Sequence, residues 1–284
     1  MAYTAEISRS NPSCFLFIID QSGSMADKYV SIGIPKAQAV SDVINKIINQ
    51  IVIKCAKSEG IRDYYHIGII GYGSGGVSSA FKGELAGRDL VKISELSEHP
   101  ARIEDRIKKM SDGMGGIIEA KAKFRVWIDP IADGGTPMTA AFKKANTVLS
   151  SWLQEHPNSF PPVVIHVTDG ETTDGDPSIE MAHLTNLSSS DGNVVLFNLH
   201  TNARTQSQLS ALTFPGSETL LPDQNAQLLY NTASTLPDFI KRVAENEFQL
   251  QLTSDAKAFV MNGDIDVIVT AIEIGTRSGL QLMR

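Results

Sequence analysis

Cys14-Phe15-Leu16-Phe17-Ile18-Ile19-Asp20 is the stretch on which the fold turns. It runs apolar without alternation and stops abruptly at a carboxylate, as a strand covered on both faces does. A turn-rich stretch from Gln21 to Gly33 follows. From Pro35, which suits a first helical position, the pattern becomes helical, with Ala39, Val43, Ile47 and Ile51 on one stripe. His66 to Ile70 is the next strand, and strand, helix, strand opens a βαβ unit whose default is a parallel sheet.

Further along, helices are predicted at Met138–Gln154, Ser178–Leu187 and Gln224–Ala244. Strands are predicted at Pro162–Val167, Val194–Leu199 and Thr219–Leu221. The expected fold class is α/β, a Rossmann-like, doubly wound, mostly parallel sheet with helices on both faces. Residues 72–126 form an elaboration, with a glycine-rich loop at Gly73–Gly76, a helix from Pro100 to Met110, a turn at Asp112–Gly116 and a strand from Glu119 to Ile128. In that strand Glu119, Lys121, Lys123 and Arg125 alternate with apolar residues. Near the end, Asn262-Gly263 between two β-rich runs, Lys257–Met261 and Asp264–Ile272, predicts a β-hairpin. The expected organisation is a main domain over 11–247 and a hairpin extension over 248–284, which could mediate oligomerisation.

The 284 residues are 42% hydrophobic and 20% charged, with 22 Gly and 12 Pro, which excludes disordered, collagen-like and coiled-coil classes. Two cysteines, Cys14 and Cys55, provide neither a disulfide framework nor a zinc module and read as small core residues. With 32 acidic against 25 basic residues the net charge is −7, which argues against nucleic acid or an anionic membrane as partner. The apolar runs are strand-length, so no membrane span is expected. Met1–Pro12 is polar, contains Glu6 and lacks a leader pattern, so a cytoplasmic location is expected.

Three loops carry the chemistry. In Asp20-Gln21-Ser22-Gly23-Ser24 an extended backbone points Asp20, Ser22 and Ser24 the same way. Gly134-Gly135-Thr136 brings a hydroxyl on flexible glycines, and Thr168-Asp169-Gly170 follows the second buried strand. The first and third loops lie at strand carboxyl ends, where open α/β sheets bind ligands. Two carboxylates and three hydroxyls, with no thiolate or imidazole, suit a hard divalent cation such as Mg²⁺, with Mn²⁺ or Ca²⁺ as alternatives.

Asp20-x-Ser22-x-Ser24, Thr136 in its Gly-Gly-Thr-Pro context and Asp169 after a buried strand together resemble the metal-ion-dependent adhesion site of von Willebrand factor type A domains. The resemblance covers roughly Asn11 to Glu247. It implies that Ser22, Ser24 and Thr136 touch the metal while Asp20 and Asp169 act through water or in changeable coordination. It further implies a non-catalytic protein-binding module, completed by a partner protein's Asp or Glu, with Gln21, Met25, Gly135 and Glu171 on the contact rim. An intracellular member would be similar to bacterial scaffold proteins of the tellurite-resistance type, linked to kinases, phosphatases or ATPases.

The competing class is a metal-assisted phosphohydrolase, with Asp20, Asp169, Glu171 or Asp133 as the base. A haloacid-dehalogenase-type phosphatase needs a second Asp where Ser22 stands, and no Gly-x-Ser-x-Gly elbow follows a strand. Gly71–Gly76 matches the spacing of a dinucleotide fingerprint, but Val77–Gly83 reads as extended where that motif opens a helix, which favours a rim loop. Asp174 and Asp176 fit a second cation site less well than a solvated loop with Asp176-Pro177 starting a helix. His66, His166 and His200 read as packed or hydrogen-bonded strand residues.

Overall fold

The computed structural model describes residues 3–111, 117–202, 211–217, 219 and 221–280. Strand β1 (Ser13–Asp20) is buried at every residue, α1 (Lys36–Cys55) follows, and β2 (Tyr65–Gly73) returns parallel to β1 from Ser13↔Tyr65 to Asp20↔Tyr72. The short strands β3 (Gly76–Ser79) and β4 (Val91–Lys92) both lie antiparallel to β2. A separate antiparallel hairpin, β5 (Arg102–Ser111) and β6 (Ile117–Val126), then leads to α2 (Met138–Glu155).

Strand β7 (Val163–Thr168) pairs parallel with β1, and α3 (Ser178–Asn186) connects it to β8 (Val195–Thr201), which runs parallel to β7. After the two-residue β9 (Leu212–Thr213) come α4 (Gln224–Thr232), α5 (Asp238–Phe248), β10 (Phe259–Gly263) and α6 (Ile265–Leu280). Among the described residues the main sheet runs β9-β10-β8-β7-β1-β2-β3, with β4 also on β2. The architecture is therefore α/β with a mostly parallel central sheet.

Alternation along β1 splits the core. Phe15, Phe17 and Ile19 join α1, α5 and α6 on one face, while Cys14, Leu16 and Ile18 join α2, α3 and α4 on the other. Each of the Phe, Leu and Ile side chains contributes about 1.5–3 kcal/mol by burial, so β1 is anchored on both faces. The chain leaves β1 toward β2 on one side and reaches β7 on the other. The carboxyl ends of β1 and β7 therefore flank a topological switch point, where a crevice opens.

Several elements differ from the sequence reading. The helix predicted at Pro100–Met110 is strand β5, because its period is two: Glu104 and Arg106 turn toward the body while Ile103, Asp105 and Ile107 face solvent. Arg106 lies 3.7 Å from the Phe124 ring centroid and donates to Asp42 at 2.9 Å, which docks the hairpin on α1. The turn at Asp112–Gly116 lies outside the described residues. Gly73↔Gly76 closes the hairpin between β2 and β3, so the glycine-rich segment is a tight turn. The helix predicted at Gln224–Ala244 is two, α4 and α5, separated by a segment that ends in Pro237, which cannot donate in a continuous helix. The edge strand is Leu212–Thr213 and not Thr219–Leu221, of which residue 220 is outside the described set.

The C-terminal hairpin is absent. Asn262 takes φ +53°, yet the chain does not fold back: β10 joins β8 in parallel, and Asp264 caps a helix through a 3.2 Å bond from the Val267 amide. Ile265, Ile268, Ile272 and Ile274 are buried, so burial on several sides overrode the β-branched composition of α6. Oligomerisation through a tail hairpin falls with it, since this segment is part of the core. Among the described residues no helix is long and apolar enough to cross a membrane.

Candidate functional site

Asp20 ends β1 with 1% exposure, and both its oxygens are held: Oδ1 accepts the Ser22 amide at 2.8 Å and Oδ2 accepts the Thr168 hydroxyl at 2.7 Å. Burial raises its pKa, the Ser22 and Thr168 hydrogen bonds oppose the rise, and neighbouring Asp169 adds to it. From Ser22 the chain of contacts continues to Ser24, their hydroxyl oxygens 3.1 Å apart, and then to Asp169, whose Oδ1 accepts from Ser24 at 2.6 Å. Asp169 Oδ2 accepts from Lys36 Nζ, in an ion pair whose side chains are 0% and 5% exposed.

The loop bearing Thr136 is tied to both others. Gly23 N donates to Gly134 O at 2.9 Å, the Thr136 amide donates to Thr173 Oγ1 at 2.9 Å, and the Thr173 amide returns to Thr136 O at 2.9 Å. Gly134 is required there: its φ is +74°, and a β-carbon would fall 2.2 Å from Ser74 Cβ. The structure thus joins Asp20, Ser22, Ser24 and Asp169 in one hydrogen-bonded series, and brings Thr136 to it through backbone bonds.

The rim is smaller than predicted. Gly135 and Glu171 are exposed. Met25 is fully buried in the α1 face of the core and offers no contact surface, which corrects its placement on the rim. Gln21 leans over Gly71, where its amide fills the space a side chain would take.

Lys36 and Thr168 are the contributors that sequence reasoning missed. A signal existed for Lys36: it opens α1 directly after Pro35, and a lysine in the first turn sits against the positive end of the helix dipole. Nothing in the sequence marks Thr168 beyond its place next to Asp169.

Asp174 and Asp176 have structural partners. Asp176 accepts from the Ser178 amide at 2.9 Å at the start of α3. Asp174 accepts from the Thr139 and Ala140 amides at 2.9 and 2.8 Å, capping α2, whose own N-cap, Pro137, makes no side-chain bond. Burial pulls the Asp174 pKa upward, but these bonds prevail and hold it below its ordinary 3.8. Asp174→Ala is expected to cost about 1–2 kcal/mol at neutral pH. Because the folded pKa is depressed, that contribution is complete above the unfolded value and vanishes as pH falls through the folded one. Urea unfolding of both proteins at pH 7 and in strong acid checks this: a gap that stays constant would assign the loss to something other than the carboxylate.

The histidines sit as predicted for strand residues. His166 lies 2.8 Å from the Tyr72 hydroxyl and 3.0 Å from Asn198 Oδ1, and burial lowers its pKa to about 4. Trp152 donates to His66 at 2.6 Å, and the Asn262 amide donates to His200 at 3.2 Å. Cys14 and Cys55 are buried.

The donor set can be tested against a divalent ion. Among the described residues no three His, Cys, Asp or Glu side chains gather closely enough to hold a metal by themselves. A divalent ion held here would need hydroxyl ligands as well. Octahedral ligands at about 2.1 Å stand about 3.0 Å from their neighbours, and the two serine oxygens are 3.1 Å apart. That spacing is compatible with two neighbouring ligands of such an ion, while Lys36 places a positive charge on Asp169 that the ion would meet.

No protein-family model and no curated protein matches the chain. Solved structures do, among them the pilus adhesin SpaC from Lactobacillus rhamnosus GG, at 12% identity and TM-score 0.49, over 94% of this chain and 30% of that one. The pilus adhesin RrgA from Streptococcus pneumoniae matches at 13% identity and TM-score 0.31, over 59% and 21%. The PilB minor pilin from Streptococcus sanguinis matches at 8% and 0.46, over 96% and 62%. The chain thus spans at most 62% of the length of these proteins.

These findings correct the reading by resemblance. The matched structures are described as pilus adhesins and a minor pilin, and no family model supports a von Willebrand factor type A assignment. That assignment is withdrawn, together with the intracellular scaffold function, its phosphohydrolase alternative and the cytoplasmic location.

Proposed function

We propose that the protein acts by binding, as a surface-adhesion module, and that the loops at the carboxyl ends of β1 and β7 form a cation site within it. Ser22, Ser24 and Thr136 supply hydroxyl oxygens there, and Asp20 and Asp169 supply charge. The observation that carries this reading is the continuous series Ser22–Ser24–Asp169, with its 3.1 and 2.6 Å spacings, at the switch-point crevice. Both oxygens of Asp20 and of Asp169 already accept hydrogen bonds, and Asp133 accepts from Ser74 at 2.6 Å, which favours binding over proton abstraction.

Calorimetric titration with Mn²⁺ should show one saturable site, weakened at least ~10-fold by Thr136→Ala, the loss of one ligand. Absence of saturable Mn²⁺ binding would end the cation reading.

A further inference from the structure

Resting on the proposed cation site, we infer that Lys36 is a built-in counter-cation of that site: it holds Asp169 in the ion-free protein and competes with the divalent ion for that carboxylate. Its position is otherwise hard to account for. It is a residue of the first turn of α1 at 4% exposure, at the end of a helix where backbone amides already concentrate positive charge. An ammonium there is disfavoured by burial and by the dipole at once, so its partners must outweigh both.

Two carboxylates do so. Asp169 Oδ2 bonds Nζ directly, and Asp27 Oδ2 approaches to 3.7 Å from an exposed side chain. Asp27 O also accepts the Lys36 amide at 2.9 Å, closing the 27–36 loop at its base. Lys36 thereby links the loop that carries Ser24 to the loop that carries Asp169, which also receives the Ser24 hydroxyl.

The charge count follows. With both carboxylates ionised, Asp20, Asp169 and Lys36 sum to one negative charge, and a divalent ion turns this to one positive. Without Lys36 the ion would meet two negative charges in place of one, so Lys36 weakens its binding.

Mn²⁺ titration of the wild type, Lys36→Met and Lys36→Gln, with melting curves in chelator and in saturating Mn²⁺, tests this. Both variants are expected to bind Mn²⁺ at least ~10-fold more tightly than the wild type, to melt lower in chelator, and to gain more from the ion. The glutamine variant keeps an N–H donor for Asp169 and carries the test if the methionine variant does not fold. Equal or weaker Mn²⁺ binding in the variants, with a binding wild type, overturns the role of Lys36 and leaves the cation site standing. Binding by the variants alone supports Lys36 as the resident cation and overturns the ion in the wild type. No binding by any of the three overturns the cation site and this inference together.

Discussion

Asp169→Ala is expected to lower the unfolding free energy by about 3–5 kcal/mol, the range for removing one partner of a buried ion pair. The loss comes less from the contact itself than from what it leaves behind. Lys36 keeps a side chain only 5% exposed, while its other carboxylate, Asp27, is 71% exposed and 3.7 Å away. An exposed partner at that separation contributes at most about 1 kcal/mol. The Ser24 hydroxyl also loses its acceptor. Urea unfolding in chelator measures the effect. Adding Lys36→Met to the alanine variant should recover most of the loss, because the pair is then gone and no charge is stranded. A single-variant loss below about 1 kcal/mol would show that water reaches the ammonium.

Asn45→Ala should cost about 2–4 kcal/mol, from stranding several backbone groups that each carry a penalty of about 1–3 kcal/mol. Asn45 lies on α1 at 1% exposure. Its Nδ2 donates to Ile128 O at 3.0 Å, and its Oδ1 accepts the Trp127 and Ile128 amides at 2.8 and 3.2 Å. This one amide side chain fastens the segment after the β5–β6 hairpin to the body, and that segment leads into the loop of Gly134 and Thr136. The variant should therefore show lost amide-exchange protection at Trp127 and Ile128 and weaker Mn²⁺ binding as well as lower stability. Unchanged protection at those amides would contradict the anchoring role.

Legibility differed along the chain for reasons visible in particular residues. Cys14–Ile19 and Val163–Val167 were readable because a strand buried on both faces has no use for polar residues. Asp20 and Asp169 stood out as the first carboxylates beyond those runs. Arg102–Ser111 misled, because Arg106 turns inward to Asp42 of α1 and to the Phe124 ring of β6, so its alternation is not one of apolar against polar. Ile265–Leu280 misled because a helix covered on several sides loses the stripe that distinguishes it from a strand. Met25 read as a loop residue near the rim, yet it turns inward to the α1 face.

The sequence by itself determined the alternating α/β order, the buried central strands and the loops in which hydroxyls and carboxylates gather. These follow from local rules: which residues can be covered, where a helix can start, and where a strand must stop. Only the tertiary structure decided that the last segment completes the sheet and core, that Asp174 caps a helix far from it in sequence, and that Lys36 reaches Asp169. Each is a contact between residues at least 34 apart, formed because strand edges, helix amides and a buried charge find their partners only where the packed fold supplies them.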